Sequence, residues 1–211
     1  MTEDQMSHYI FDKFGKMVAL DESARKYAAR EVPVVANTDE DVDGDGRLDV
    51  VGYDKEKRTF QVVECKSGDG AAAIRQAFTQ LACYRGMIEH RVLTFLNSFT
   101  QKSPMRFERL MEATSGGKQI AVEFYVGLTD EACQESVSLL RRLKERYPHT
   151  GILRVKPDGR IRHDVKEANG TYHPELAQAV PVRFDIPWPP EPEDGAVPTL
   201  RIASYDELRT L

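Results

Sequence analysis

Arg47 to Lys66 reads RLDVVGYDKEKRTFQVVECK, and the fold turns on how these residues pair. Two β-prone runs, RLDVVGYD and RTFQVVECK, flank a polar DKEK connection, the pattern of an antiparallel hairpin. Side chains alternate along a strand, so Phe60, Val62, Glu64 and Lys66 share one face. Asp49, Val51 and Tyr53 likewise share a face of the preceding strand. With the turn centred at Glu56 and Lys57, Asp49 lies about seven residues before the centre and Glu64 about seven after it. The spacing therefore predicts Asp49 and Glu64 as cross-strand neighbours at the open end of the hairpin, with Lys66 one strand step beyond.

The residues before the hairpin give Asp49 a second reading. In DVDGDGRLD, Asp41, Asp43 and Asp45 take positions 1, 3 and 5 of a calcium loop, Gly46 position 6 and Asp49 position 9. Position 12 is Gly52 rather than a bidentate Glu, and a strand follows where an exiting helix belongs. The favoured assignment gives Asp41, Asp43 and Asp45 to a polar connector and Asp49 to the strand. A Ca²⁺ site at the loop, or a second divalent ion fed from it toward the hairpin, stays open.

Around the hairpin the chain alternates helical and strand-like periods. Residues 4–30 read as helical, with Ile10, Phe14, Met17 and Val18 on one face and a restart at Asp21. Residues 32–37 read as a short strand. A long helix follows SGDG and runs through Phe99, with Ile74, Phe78, Leu81, Arg85 and Ile88 at helical spacing. Gln119 to Leu128 is a strand with a mostly buried pattern. A helix capped by Thr129 or Asp130 comes next, then a strand, a D-G turn and a strand within residues 151–165. Residues 184–198 are Pro-rich and acidic, an extended surface arm; Trp188 within it is expected to pack onto the domain, with recognition of a protein partner as the alternative. This order predicts an α/β domain over residues 1–183, with a mixed central sheet flanked by helices, followed by an arm and C-terminal segment over 184–211.

Composition narrows the class. The chain has 211 residues, enough for one domain with a substantial core. No apolar run reaches the length of a membrane span, so no membrane partner is expected. The N-terminus MTEDQMSHYI lacks the layout of a signal peptide, and Cys65, Cys83 and Cys133 are scattered; a cytoplasmic location is the expectation. Net charge is −5, which argues against a general polycation. The charge is unevenly spread, with acids crowded in residues 31–56 and bases such as Arg85, Arg91, Arg106 and Arg109 in residues 85–118. The five histidines show no ligand spacing and read as surface or satisfied residues.

Two carboxylates and a lysine at the end of an apolar hairpin are costly unless paired or bound to a cation. Two acids and a backbone carbonyl make a hard-oxygen site suited to Mg²⁺ or Mn²⁺. Such a site activates water and polarises a phosphate, and a neighbouring lysine stabilises the developing charge.

The D-(x)n-E-x-K arrangement, Asp49 with Glu64-Cys65-Lys66, resembles the PD-(D/E)xK nuclease superfamily. Leu48 stands where the motif's name puts proline, a common departure in that superfamily. Gln80 and Tyr84 on the following helix match the Q-x-x-x-Y pattern of its RecB-like branch, and the hairpin is similar to that of Holliday-junction resolvases. The resemblance spans roughly residues 20–166. It implies a restriction-endonuclease-like core (αβββαβ). It implies metal ligation by Asp49, Glu64 and the Cys65 carbonyl, with Lys66 catalytic and Gln80 and Tyr84 lining the site. A first-helix glutamate adds a ligand in many members; Glu22 is the candidate and Glu31 the reserve. Arg75, Arg85 and Arg91 are candidate nucleic-acid contacts.

The function so implied is divalent-metal-dependent hydrolysis of DNA phosphodiester bonds by activated water, in repair, recombination or defence, with a protein partner or homodimer as a further expectation. The alternatives are a catalytically silent nuclease-fold subunit that binds nucleic acid or scaffolds a complex, and a calcium-binding interaction protein built on Asp41 to Asp49. An iron–sulfur cluster does not fit three dispersed cysteines.

Overall fold

The computed structural model describes residues 1–17, 27–34, 46–54, 57–68, 70–103, 105–107, 110 and 119–187. The restart at Asp21, the acidic loop and Trp188 lie outside these. The chain order is α1 (Glu3–Met17), β1 (Ala28–Pro33), β2 (Arg47–Asp54), β3 (Thr59–Lys66), α2 (Ala71–His90), α3 (Val92–Lys102), β4 (Gln119–Thr129), α4 (Asp130–Glu135), α5 (Val137–Arg146), β5 (Thr150–Val155), β6 (Ile161–Arg162), α6 (Pro174–Ala177) and β7 (Val182–Asp185).

The seven strands form one mixed open sheet in the order β1-β2-β3-β4-β5-β6. The first three strands are antiparallel neighbours. β3, β4 and β5 run parallel. Parallel neighbours need crossovers, which the helices between β3 and β4 and between β4 and β5 supply. β7 pairs antiparallel with the first half of β4, from Gln119 to Val122, on the side where β5 takes the second half.

Helices cover both faces of the sheet. On one, α1 buries Met6, Ile10 and Phe14 against Val50, Val63, Cys65 and Leu153. These helix residues recur every four positions and so form one stripe. The larger core on the other face packs α2 to α5 onto Val51, Tyr53, Phe60, Val62, Phe124 and Val126.

The close approach of α1 rests on Gly52. A Cβ there would lie 2.8 Å from Phe14 Cδ2. Gly52→Ala is therefore expected to displace the Phe14 ring and cost about 1–3 kcal/mol, read as a lowered midpoint in chemical denaturation.

Several expectations need correcting. Helix α1 ends at Met17, and Ala28 to Pro33 is a strand rather than the end of a helix. AAREV has helical composition, but pairing with β2 overrides that preference. The long helix after SGDG is two helices parted at Arg91, which leaves helical geometry at φ −139 and ψ 46. The helix after β4 is likewise parted at Ser136. Its expected start holds: the Thr129 hydroxyl accepts the Ala132 N–H at 3.2 Å. Phe184, placed in the surface arm by composition, is buried on β4 as part of β7.

Candidate functional site

The observed hairpin register runs from Asp54↔Thr59 to Val50↔Val63. One step further sets Asp49 opposite Glu64, as the turn position predicts. The ladder stops short of that step, and the Asp49 side chain takes over: its Oδ2 accepts the Cys65 N–H at 2.7 Å. The N–H and C=O of one strand residue point to the same side. The Cys65 carbonyl therefore also faces the Asp49 side of β3.

Glu64 is only 3% exposed. Its Oε1 lies 3.0 Å from Lys66 Nζ, whereas its Oε2 is buried without a hydrogen-bond partner. Burial, with Asp49 charge beside it, pushes the Glu64 carboxyl up to about 7, against the pull of Lys66. Burial also raises Asp49, opposed by the Cys65 N–H and by Lys66, with Glu31 and Glu3 adding to the rise. Burial on its own lowers the Lys66 ammonium, but Glu64, Glu3 and Asp49 together outweigh it and raise the group.

Tyr84 sits on α2, mostly buried. Its hydroxyl is raised by burial and then by the nearby Glu64 and Asp49 charges. Gln80 lies one helical turn earlier, and its Oε1 is buried without a partner. Asp49, Glu64, Cys65, Lys66 and Tyr84 thus come together, with Gln80 on the same stripe of α2. Arg75 is exposed on α2 and Arg91 is exposed at the α2–α3 junction. Arg85 lines a separate cleft with Arg146 and His149. Glu22, Asp41, Asp43 and Asp45 lie outside the described residues.

One site residue escaped the sequence reading. Glu3, in the first turn of α1, stands 3.6 Å from Lys66 Nζ. The signal was present. The Thr2 hydroxyl accepts the Gln5 N–H at 3.1 Å, and Gln5 Oε1 accepts the Thr2 N–H at 3.0 Å. This reciprocal cap over Thr2-Glu3-Asp4-Gln5 marks a helix start and makes Glu3 a first-turn acid. Arg30 ties that turn to β1, donating to Asp4 Oδ1 and Ser7 Oγ, each at 2.6 Å.

Glu31, the reserve acid, is exposed and adopts φ +52, rare for a residue with a side chain. It lies between the pairs Arg30↔Val50 and Val32↔Leu48, which puts it opposite Asp49. Glu31, Asp49 and Glu64 therefore form a row of acids across β1, β2 and β3.

The donors present are hard oxygens, the type that divalent cations such as Mg²⁺ take. Glu64 Oε2 is an orphaned buried acceptor, Asp49 is a second carboxylate beside it, and the Cys65 carbonyl faces the same opening. Among the described residues no group of three or more His, Cys, Asp or Glu side chains is placed to hold a metal ion. A site with two carboxylates leaves coordination positions for water and a substrate oxygen, the usual arrangement for Mg²⁺.

The structure thus defines the class as a mixed α/β protein with a seven-stranded open sheet flanked by helices. Among the described residues no helix is long and apolar enough to cross a membrane. No protein-family model matches the chain, nor does any curated protein or solved structure.

Proposed function

We propose that this chain is a divalent-metal-dependent nuclease with a restriction-endonuclease-like core of the PD-(D/E)xK type. The observation that carries the reading is the crowding of Asp49 and Glu64 at the open end of the β2–β3 hairpin, with Glu64 Oε2 buried and unpaired. An ordinary ion pair accounts for Glu64 and Lys66, but not for a second half-buried carboxylate beside them or for the orphaned oxygen. The chain order from α1 through three antiparallel strands to α2, α3 and the parallel β4 also suits that core.

Asp49, Glu64 and the Cys65 carbonyl would hold Mg²⁺ or Mn²⁺, which supplies activation of the attacking water and neutralisation of charge on the phosphate. The chain's own groups do the rest. The Cys65 N–H fixes the orientation of the Asp49 carboxylate. Lys66, held charged by Glu64 and Glu3, places an ammonium where negative charge gathers on the phosphoryl oxygens. Gln80 Oε1 offers an unused acceptor, and Tyr84 excludes bulk water from the Glu64 side. Glu3 acts on Lys66 and through it on Glu64.

The test is cleavage of single-stranded, duplex and branched DNA with Mg²⁺, Mn²⁺, Ca²⁺ or EDTA. Mg²⁺ or Mn²⁺ is expected to support cutting and EDTA to stop it. A folded protein that cuts no substrate in any metal, yet binds DNA, would move the reading to a silent nuclease-fold subunit.

A further inference from the structure

A second cleft opens between α2 and the turn that joins α5 to β5. Arg85 of α2, Arg146 at the end of α5 and His149 line it, with Leu81, Phe124 and Tyr147 as apolar walls. In a chain of net charge −5, this lining holds two arginines and a histidine and no acid. Among the described residues neither guanidinium has an ion-pair partner; Arg146 instead lies 5.5 Å from the centre of the Tyr147 ring. His149, expected as a surface or satisfied residue, has its Nδ1 buried without a hydrogen-bond partner. The orphaned buried nitrogen carries a cost, and two guanidinium groups without an acid in the same lining make the cleft favourable to an anion.

The cleft is on the same side of the sheet as the carboxylates. Glu64 pairs with Val126 of β4, whereas Phe124, two residues earlier, pairs with Thr150 of β5. Phe124 and Val126 face the same core. Two strand spacings across and two residues along put the cleft roughly 10–12 Å from Glu64. Helix α2 stands between them. Its Gln80–Tyr84 stripe belongs to the candidate site and the adjacent Leu81–Arg85 stripe to the cleft.

We propose that the Arg85–Arg146–His149 cleft is a phosphate-binding subsite. Two guanidinium groups and a ring N–H, brought by α2, α5 and the turn before β5, offer donors from three elements. That suits a tetrahedral oxyanion better than a planar carboxylate. Tyr147 supplies ring surface for a group attached to the phosphate. The phosphate belongs either to a nucleic-acid strand or to a free mononucleotide; the strand source rests on the nuclease reading. On the nuclease reading, one strand passing over α2 could engage both places within a few nucleotides of the cut.

The test is carried out in EDTA, so that no cleavage intervenes. Anisotropy of a labelled single-stranded oligonucleotide is measured against salt for the wild type and for Arg85→Gln with Arg146→Gln. Thermal shifts are measured with inorganic phosphate and with adenosine monophosphate. The Gln variant is expected to bind the strand roughly tenfold more weakly and to lose about 0.7 from the salt slope. It is also expected to lose the stabilisation by phosphate while melting as the wild type does without it. Arg85→Lys with Arg146→Lys keeps the charges and is expected to keep the slope. His149→Ala is expected to weaken phosphate binding with the slope unchanged.

Cleft-dependent binding of phosphate or the mononucleotide, without strand binding, supports the subsite and removes the strand as its source. Strand binding with the same affinity and slope in the Gln variant overturns the subsite and leaves the nuclease reading intact. Failure of strand, phosphate and mononucleotide alike overturns it, as does cleft-dependent capture of an acidic peptide where phosphate does not bind.

Discussion

In EDTA the melting temperature is expected to fall as the pH rises from about 5 to about 8, and Glu64→Gln is expected to abolish most of that fall. The folded protein holds the Glu64 carboxyl at about 7, against 4.5 for the free side chain. Between these values the folded state binds more protons than the unfolded state, so stability declines as pH rises. Asp49 is displaced in the same direction and adds to the slope. Lys66 is raised from 10.5, so its contribution is intact below that value and does not change in this window.

The Glu64 contribution is on the order of 3 kcal/mol, or roughly 6–12 °C in the midpoint for a chain of this size. Glu64→Gln keeps an acceptor for Lys66 and removes the charge, so at the alkaline end the variant should melt above the wild type. Mg²⁺ at about 100 times its dissociation constant should offset about 2.7 kcal/mol in the wild type and nothing in the variant. A wild-type slope that survives in Glu64→Gln would show that the buried carboxylate is not its source. The signs make the result informative: on the nuclease reading, the substitution expected to end cleavage is also expected to stabilise the fold in EDTA, the pattern of a charge retained for function.

The hairpin was legible because strand periodicity and turn position are local. A turn expected at Glu56 and Lys57 implies a register that sets Asp49 against Glu64, and the observed pairs lead to the same register. The Gln80–Tyr84 stripe was legible for the same reason: helical spacing fixes which residues share a face, and Tyr84 is mostly buried beside both acids. What failed depended on distant partners. Ala28 and Ala29 favour helix, and only pairing with β2 makes them strand. The left-handed Glu31 has no sequence signal, since neither Gly nor Asn marks it. Arg91 and Ser136 interrupt helices whose apolar faces continue past the break. Phe184 looked like part of a proline-rich arm because composition does not report that β4 has a free edge beside β5. Glu3 was readable from the Thr2–Gln5 cap, but a first helix read from residue 4 leaves it just outside the helix.

Lys66→Ala is expected to lower cleavage by roughly a hundredfold to a thousandfold while leaving Mn²⁺ binding intact or tighter. The two effects separate because Lys66 holds Glu64 Oε1 at 3.0 Å and so competes with a cation for the same carboxylate. Removing the ammonium frees that oxygen but takes away the charge that the proposed mechanism directs at the phosphate. Lys66→Arg should restore little, because a planar fork does not replace a compact ammonium held between Glu64 and Glu3. Glu64→Gln should instead lose Mn²⁺ binding and cleavage together. The assays are Mn²⁺ titration calorimetry and single-turnover cleavage, at a temperature where melting curves show each variant folded. If Lys66 were only a structural partner of Glu64, the folded alanine variant would cut within about threefold of the wild-type rate, and the lysine would have no part in the chemistry. Glu3→Gln is the finer probe. It withdraws one of the charges that hold Lys66 in place, yet leaves Asp49, Glu64 and the Cys65 carbonyl untouched. A loss in rate without a loss in Mn²⁺ affinity would place Glu3 behind the lysine; a loss of both would place it at the cation.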